Sequence, residues 1–517
     1  MRNTSRTRGM SRWTPVFFAM TAVILAKLPA MGVENCRVLL RRAQELLTQE
    51  QSEEALKPLL KAREACPSNP QTYDLLGIAY DMQNRFGEAQ QAHRKAVALS
   101  PTWPGYHNNL AISYARAGKS AEAKTEFQTA LRFDPHNVLA NANLADFCLQ
   151  ENQYRQALEH LRTAHADQSA DPSLVYALAK AYFGVGETKL GLQTVARLSG
   201  FSYVDEKMRF ALGLLLAENH QYSEAVKQFE ATPVQDRDFA VWQNLGLAYS
   251  RMRQHVEAQR AFDQALRFDP SNPEPYFGMG LDLLDARSSD QAVYSLTQAH
   301  LKAPQRLDVT CALVEALIQS GDFVRAQELL GEVQTNIPAN APLMQALGDL
   351  YLAQGETSKA LDSYQRALQS DPENLQARLS LAKVYLRLGQ SAQAKMAFEG
   401  VLRTHPRNAE ANAGLGRIAL LAGQEDLALQ ELSRALREDA EELGANEDLA
   451  TIKIRRGEFR QARTLLETLV RLDPNNARYH YQLGRVLLKL GESEEAQQEF
   501  TRSEVIGKST HKISREP

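Results

Sequence analysis

The sequence predicts an all-α array in which one helix-turn-helix unit is stacked over and over. Three observations predict it. Six glycines stand 34 residues apart: Gly321, Gly355, Gly389, Gly423, Gly457 and Gly491. A leucine lies eight residues before each, from Leu313 to Leu483, and an alanine five residues after each, from Ala326 to Ala496. Prolines recur in the same register, at Pro67, Pro101 and Pro135 early in the chain and at Pro270, Pro304, Pro338, Pro372, Pro406 and Pro474 later. A fixed period of a few tens of residues is the mark of a stacked array, because each unit can bury its apolar face only against its neighbours.

Composition agrees with one long array and excludes some functions. The chain has 517 residues, 44% of them apolar, enough for a continuous core, and an array grows along one dimension without dividing into globular domains. Its 59 basic and 62 acidic residues leave a net charge of −3, so no global attraction to nucleic acid is expected and any charge argument must be local.

Residues 1–32 break the pattern. Arg2, Arg6, Arg8 and Arg12 precede an apolar run from Pro15 to Ala26, and Ala30-Met31-Gly32 offers the small residues of a cleavage site. This reads as an export signal, which places the mature chain in the periplasm or outside the cell. The alternative is an uncleaved membrane anchor, the only membrane contact expected, although the run falls short of the ~20 apolar residues that span a bilayer. Export bears on the four cysteines. Cys36 opens the first helix and Cys66 closes its antiparallel partner, so the two ends meet and a disulfide is a candidate, against two unlinked small residues as the other reading. Cys148 and Cys311 follow core periodicity and read as buried fillers.

From residue 33 to 504 each unit can be aligned with its leucine at position 7, glycine at 15, alanine at 20 and proline at 32. Position 15 ends the first helix in a left-handed turn, which glycine adopts freely and asparagine tolerates, as at Asn84 and Asn152. Alanine at 20 suits a close helix crossing, and proline at 32 stops the second helix. Positions 4, 7, 8 and 11 give the first helix an apolar stripe, Trp242, Leu245, Gly246 and Tyr249 in one unit, while Ala258, Phe262 and Ala265 supply the second helix. Helices of this length are marginal alone in water, so their stability must come from stacking.

The run Trp242-Leu245-Gly246-Tyr249-Ala258-Phe262-Ala265-Pro270 resembles the signature of tetratricopeptide repeats, and the likeness extends over about fourteen units. The resemblance implies a right-handed α-solenoid whose first helices line a concave groove, occupied in that family by a peptide or a helix of a partner protein. The stretch 165–240 departs from the pattern: extra residues stand at Gln168–Pro172, Gly191 replaces an alanine, and one unit is cut short at Ala231-Thr232-Pro233. An irregular or hinged stretch is expected there, or else drift in sequence with unchanged geometry.

On the positions that the resemblance turns inward, Leu214, Leu247 and Leu281 predict an apolar centre. Lys383, Arg387, Arg417, Arg455, Arg485 and Lys489 predict a cationic wall towards the C-terminal end, suited to an acidic partner segment. Asn109, Asn143 and Asn244 stand where an amide can hydrogen-bond an extended backbone, similar in part to the asparagine ladder in the repeats of O-linked N-acetylglucosamine transferase. The lysine, asparagine and arginine cluster of chaperone-binding members is not matched by any adjacent set.

No His-Glu-x-x-His helix, phosphate loop or Cys-x-x-Cys pair is present, so no metal or cofactor is expected and the chain reads as no enzyme. Residues 505–517 read as a polar tail without regular structure, which leaves the edge around Leu487, Leu488 and Phe500 open to a partner, an end-to-end homodimer among them. The function expected is a protein-protein interaction scaffold or adaptor. The alternatives are a periplasmic component of a polysaccharide export or secretion apparatus and the regulatory subunit of a transferase complex.

Overall fold

Why the chain folds into helix pairs is visible at each helix end. Asn69, Asn137, Asn272, Asn340, Asn374, Asn408 and Asn476 each accept a hydrogen bond from a backbone N–H in the first turn of the helix that follows, as do Asp171, Asp205 and Asp238. These caps satisfy donors that the helix itself cannot. Every first helix then ends on a residue with positive φ. Glycine or asparagine fills that slot in ten repeats; Glu50, His220, Arg253 and Arg287 fill it in the others. A side chain there costs on the order of 1 kcal/mol.

The computed structural model describes residues 32–201, 204–336 and 340–513, so the export segment and Pro338 lie outside the described residues. It contains 28 α-helices and one short 3₁₀ turn at Val234–Asp236, and no strand among the described residues. The chain divides into two compact bodies, Met1–Arg237 and Asp238–Pro517. The N-terminal body holds six helix pairs, from Gly32–Thr48 to Tyr222–Glu230, and the C-terminal body holds eight, from Phe239–Arg251 to Ser493–Ile513. The division falls at the end of the stretch where Ala231-Thr232-Pro233 interrupts the period. The last helix runs through Ile513, so most of the segment expected as a tail without regular structure is helical.

Packing follows the register. The position-20 alanines Ala258, Ala326, Ala360, Ala394, Ala428, Ala462 and Ala496 are all 0% exposed, as a close crossing requires. The exception, Gly191, has its own cause: a Cβ there would stand 2.9 Å from the Phe183 ring, which has taken the space. Phe127, Phe229, Phe262, Tyr364 and Phe398 fill one equivalent slot of the second helix and are fully buried. Phe262 shows how one side chain joins two repeats, since a Cβ on Gly246 of its own repeat would lie 2.6 Å from the ring and one on Gly278 of the next would lie 2.7 Å away.

In the first hairpin Cys36 and Cys66 are joined by a disulfide, their Cα atoms 6.3 Å apart and 30 residues separated in sequence. Cys148 is buried, as its periodicity predicted, whereas Cys311 is only partly so. Closing a loop of that length stabilises by about 3 to 4 kcal/mol in the chain-entropy model. Reduction is therefore expected to lower hydrogen-exchange protection in Gly32–Thr48 and Ser52–Ala65 by that amount. Equal protection in the reduced protein would show that the bond adds nothing.

Candidate partner-binding face

Within each body first helices of successive repeats pack on one another up to Leu443–Arg455, which the Tyr479 hydroxyl of Ala477–Leu490 joins by donating to Glu447 at 2.5 Å, while second helices do not contact one another to a comparable extent. A continuous face is thus lined by first helices, and every residue singled out for the groove lies on one of them. Leu214 belongs to the N-terminal body and is half-buried; Leu247 and Leu281 belong to the C-terminal body, where Leu247 is 42% exposed.

Next along the same row come two carboxylates that the division into an apolar centre and a cationic wall passed over. Glu315 and Asp349 occupy equivalent positions in successive repeats. Burial, followed by the charge of Asp349, raises the Glu315 carboxyl above its ordinary range. Burial likewise raises Asp349, opposed by the Tyr364 hydroxyl, which donates to it at 2.5 Å, and by Lys383.

The cations expected to form the wall are not equivalent. Arg417 Nε and Nη2 donate to the two oxygens of Asp448 at 2.8 Å each, and Nη2 also reaches Glu447 at 3.4 Å, so this guanidinium joins two neighbouring repeats. Lys383 is paired with Glu410. Arg387 donates to the Leu352 carbonyl at 3.3 Å. Arg455 and Lys489 are exposed and have no acidic partner within 4 Å among the described residues, and Arg485 lies 6.0 Å over the exposed Tyr481 ring. The exposed cations of this row without an acidic partner among the described residues are therefore Arg387, Arg455, Arg485 and Lys489, and the last three stand together on two successive first helices.

The three asparagines turn their amide nitrogens into the protein. Asn109 Nδ2 donates to both oxygens of Asp74 at 3.0 Å, Asn143 Nδ2 to Asn108 Oδ1 at 3.0 Å, and Asn244 Nδ2 to the Ala240 carbonyl at 2.8 Å.

Asn109 leads to a cluster that sequence reading missed. His93 occupies the slot that other repeats fill with a large aromatic ring, and it is fully buried. Its Nδ1 lies 3.0 Å from Asp74 and its Nε2 3.2 Å from Asp81, while Ser113 of the next repeat donates to Asp81 at 2.7 Å. Burial alone would lower the His93 pKa, yet the hydrogen bonds and charges of Asp74 and Asp81 outweigh it and raise it to about 9. The imidazolium bridges the two aspartates within its own repeat, and Asn109 and Ser113 of the next repeat donate to those same aspartates, so the cluster ties two repeats together. The signal was legible in principle: a histidine in the aromatic slot, with aspartates 19 and 12 residues before it.

Models described as "Tetratricopeptide repeat" match residues 114–182, 239–272, 283–350, 379–442, 419–481 and 453–503, and one described as "TPR repeat" matches 348–389. The chain is similar to BBSome complex member BBS4 of Bos taurus, 23% identical over 203 residues, which are 39% of this chain and 39% of that protein. It is also similar to Cellulose synthase operon protein C of Pseudomonas fluorescens (strain SBW25), 27% identical over 326 residues, 60% of this chain and 23% of that protein. The matches thus span well under two thirds of these relatives' own length. Among solved structures, yeast Tom70 aligns over 85% of this chain and 99% of its own, at 16% identity and a TM-score of 0.45. Register, helix pairing and family models together place this chain in the tetratricopeptide repeat family.

Proposed function

We propose that this chain is a non-catalytic scaffold that holds an extended or helical segment of another protein along its row of first helices. Acidic side chains of that segment meet Arg455, Arg485 and Lys489. The observation that carries this reading is the sorting of the cations: Lys383 and Arg417 are neutralised by acidic partners, whereas these three stand exposed without one among the described residues, on adjacent first helices of one body. Charge left open on a binding face favours a partner of opposite sign and speeds its association. The name of the bovine relative, a complex member, is consistent with a role in assembly.

A second reading is favoured by one observation, the similarity to Cellulose synthase operon protein C. On that reading the scaffold serves an exported polysaccharide apparatus. Export to the periplasm or the medium is part of both proposals, supported by the basic and apolar pattern of residues 1–26 and by the Cys36–Cys66 disulfide.

Reversing the three open charges in one protein, Arg455→Glu, Arg485→Glu and Lys489→Glu, tests the acidic-segment reading. Arg417 is left unchanged because it holds two repeats together. Each exposed pair contributes about 0.2–1 kcal/mol and charge reversal adds repulsion of similar size, so affinity for a fluorescent peptide of alternating glutamate and leucine is expected to fall about tenfold, and to lose most of its salt dependence. Unchanged anisotropy titrations at low salt would overturn it.

A further inference from the structure

The left-handed slot at the end of the first helix carries glycine in six successive repeats of the C-terminal body, but arginine in the two before them, with φ of 57° at Arg253 and 54° at Arg287. Both arginines make contacts that no neighbouring repeat could supply. Arg253 Nη1 donates to Glu441 Oε2 at 3.1 Å, across 188 residues. Arg287 Nη1 lies 3.2 Å from Asp473 Oδ2, across 186 residues. Each span is about five and a half periods of the array. The two arginines are 34 residues apart and the two acids 32, so the contact advances along the chain nearly in register with the repeat.

A coil whose successive turns meet edge to edge produces such a pattern. One edge is the turn inside a repeat, at Arg253 and Arg287; the other is the turn between repeats, where Glu441 lies between Glu425–Glu438 and Leu443–Arg455 and Asp473 follows Phe459–Leu472. Glycine at the slot would suit the backbone better and could not reach across. A disfavoured conformation that persists together with a specific long-range partner calls for a functional explanation.

We propose that Arg253–Glu441 and Arg287–Asp473 form an electrostatic clasp that holds the coil of the C-terminal body closed and releases it as ionic strength rises. The arginine side chains are 59% and 51% exposed and their acids 36% and 19%, so mobile ions reach both pairs. A single exposed pair is weak. Spreading of the coil, however, must break both pairs at once. If the inner face holds a partner segment, a closed coil admits a chain end and an open one a bulkier element; that corollary rests on the scaffold reading, whereas the clasp does not.

The test uses the full chain without a partner, spin-labelled at Asp290→Cys and Asn475→Cys, two exposed positions flanking the second contact, in a Cys148→Ser and Cys311→Ser background. Electron-electron double resonance should give a narrow, short distance at about 20 mM salt and lose that population at about 500 mM. The companion variant Arg253→Gly with Arg287→Gly keeps a residue that six later repeats already use, so folding is expected to be unaffected. It should lack the short-distance population at both salt concentrations. A narrow distance in the glycine variant identical to that of the parent, or a broad distribution in the parent at low salt, would overturn the clasp. Both readouts are independent of peptide binding, so failure of the scaffold reading would leave them interpretable.

Discussion

Replacing His93 with phenylalanine is expected to destabilise the N-terminal body by about 3–5 kcal/mol, although phenylalanine is what the equivalent slot holds at Phe127 and Phe229. On packing alone the ring would be tolerated. The loss follows from electrostatics, because Asp74 and Asp81 are 8% and 5% exposed and would be left without the imidazolium between them. Adding Asp74→Ala and Asp81→Ala to the phenylalanine variant should recover a large part of the loss, since removing a whole buried ionic group is far cheaper than removing one partner. Hydrogen exchange in Pro70–Met82 and Phe86–Leu99 reads the effect locally. The pH dependence has a definite sign. The folded pKa of His93, about 9, stands above the ordinary histidine value of 6.5, so the contribution is fully present below about pH 6.5 and is lost as pH rises through about 9. Protection in these two helices that did not fall between pH 7 and 9.5 would speak against a buried imidazolium.

Phe262→Ala should have a comparable effect in the other body, about 3–5 kcal/mol, with a particular distribution. The ring is fully buried between Gly246 of its own repeat and Gly278 of the next. Its removal should therefore lower protection in Phe239–Arg251 and His255–Phe268 and also in Pro273–Asp285, because neighbouring repeats share the contact. Helices several repeats away, such as Ala477–Leu490, should change little. Loss confined to its own helix pair would mean that the repeat is stable without its neighbour.

How much of this could be read from the chain alone differs from residue to residue, for a physical reason. Glycines at a 34-residue spacing encode a local backbone need, so the helix pairs and their turns were legible. Cys36 and Cys66 were legible as neighbours because antiparallel geometry brings the two ends of a hairpin together whatever follows. Arg417 lies on a first helix, but its pairing with Asp448 crosses to the next repeat, and a position-by-position reading of one face does not show what lies beside it. His93 fell out of view because the slot was read only for size. The contact from Arg253 to Glu441 depends on the accumulated rotation of more than five repeats, a quantity set by packing at every interface between them and by no single motif.

The proposal that partners lie along the first helices is tested most directly by lysine-reactive cross-linking in the native cell, with the linked residues identified by mass spectrometry. Lys383 and Lys489 are exposed on first helices, and Lys359 and Lys395 are exposed on second helices of the same body. Links to other proteins are expected to concentrate at Lys383 and Lys489. Links confined to Lys359 and Lys395, with both inner lysines unmodified by any partner, would contradict it.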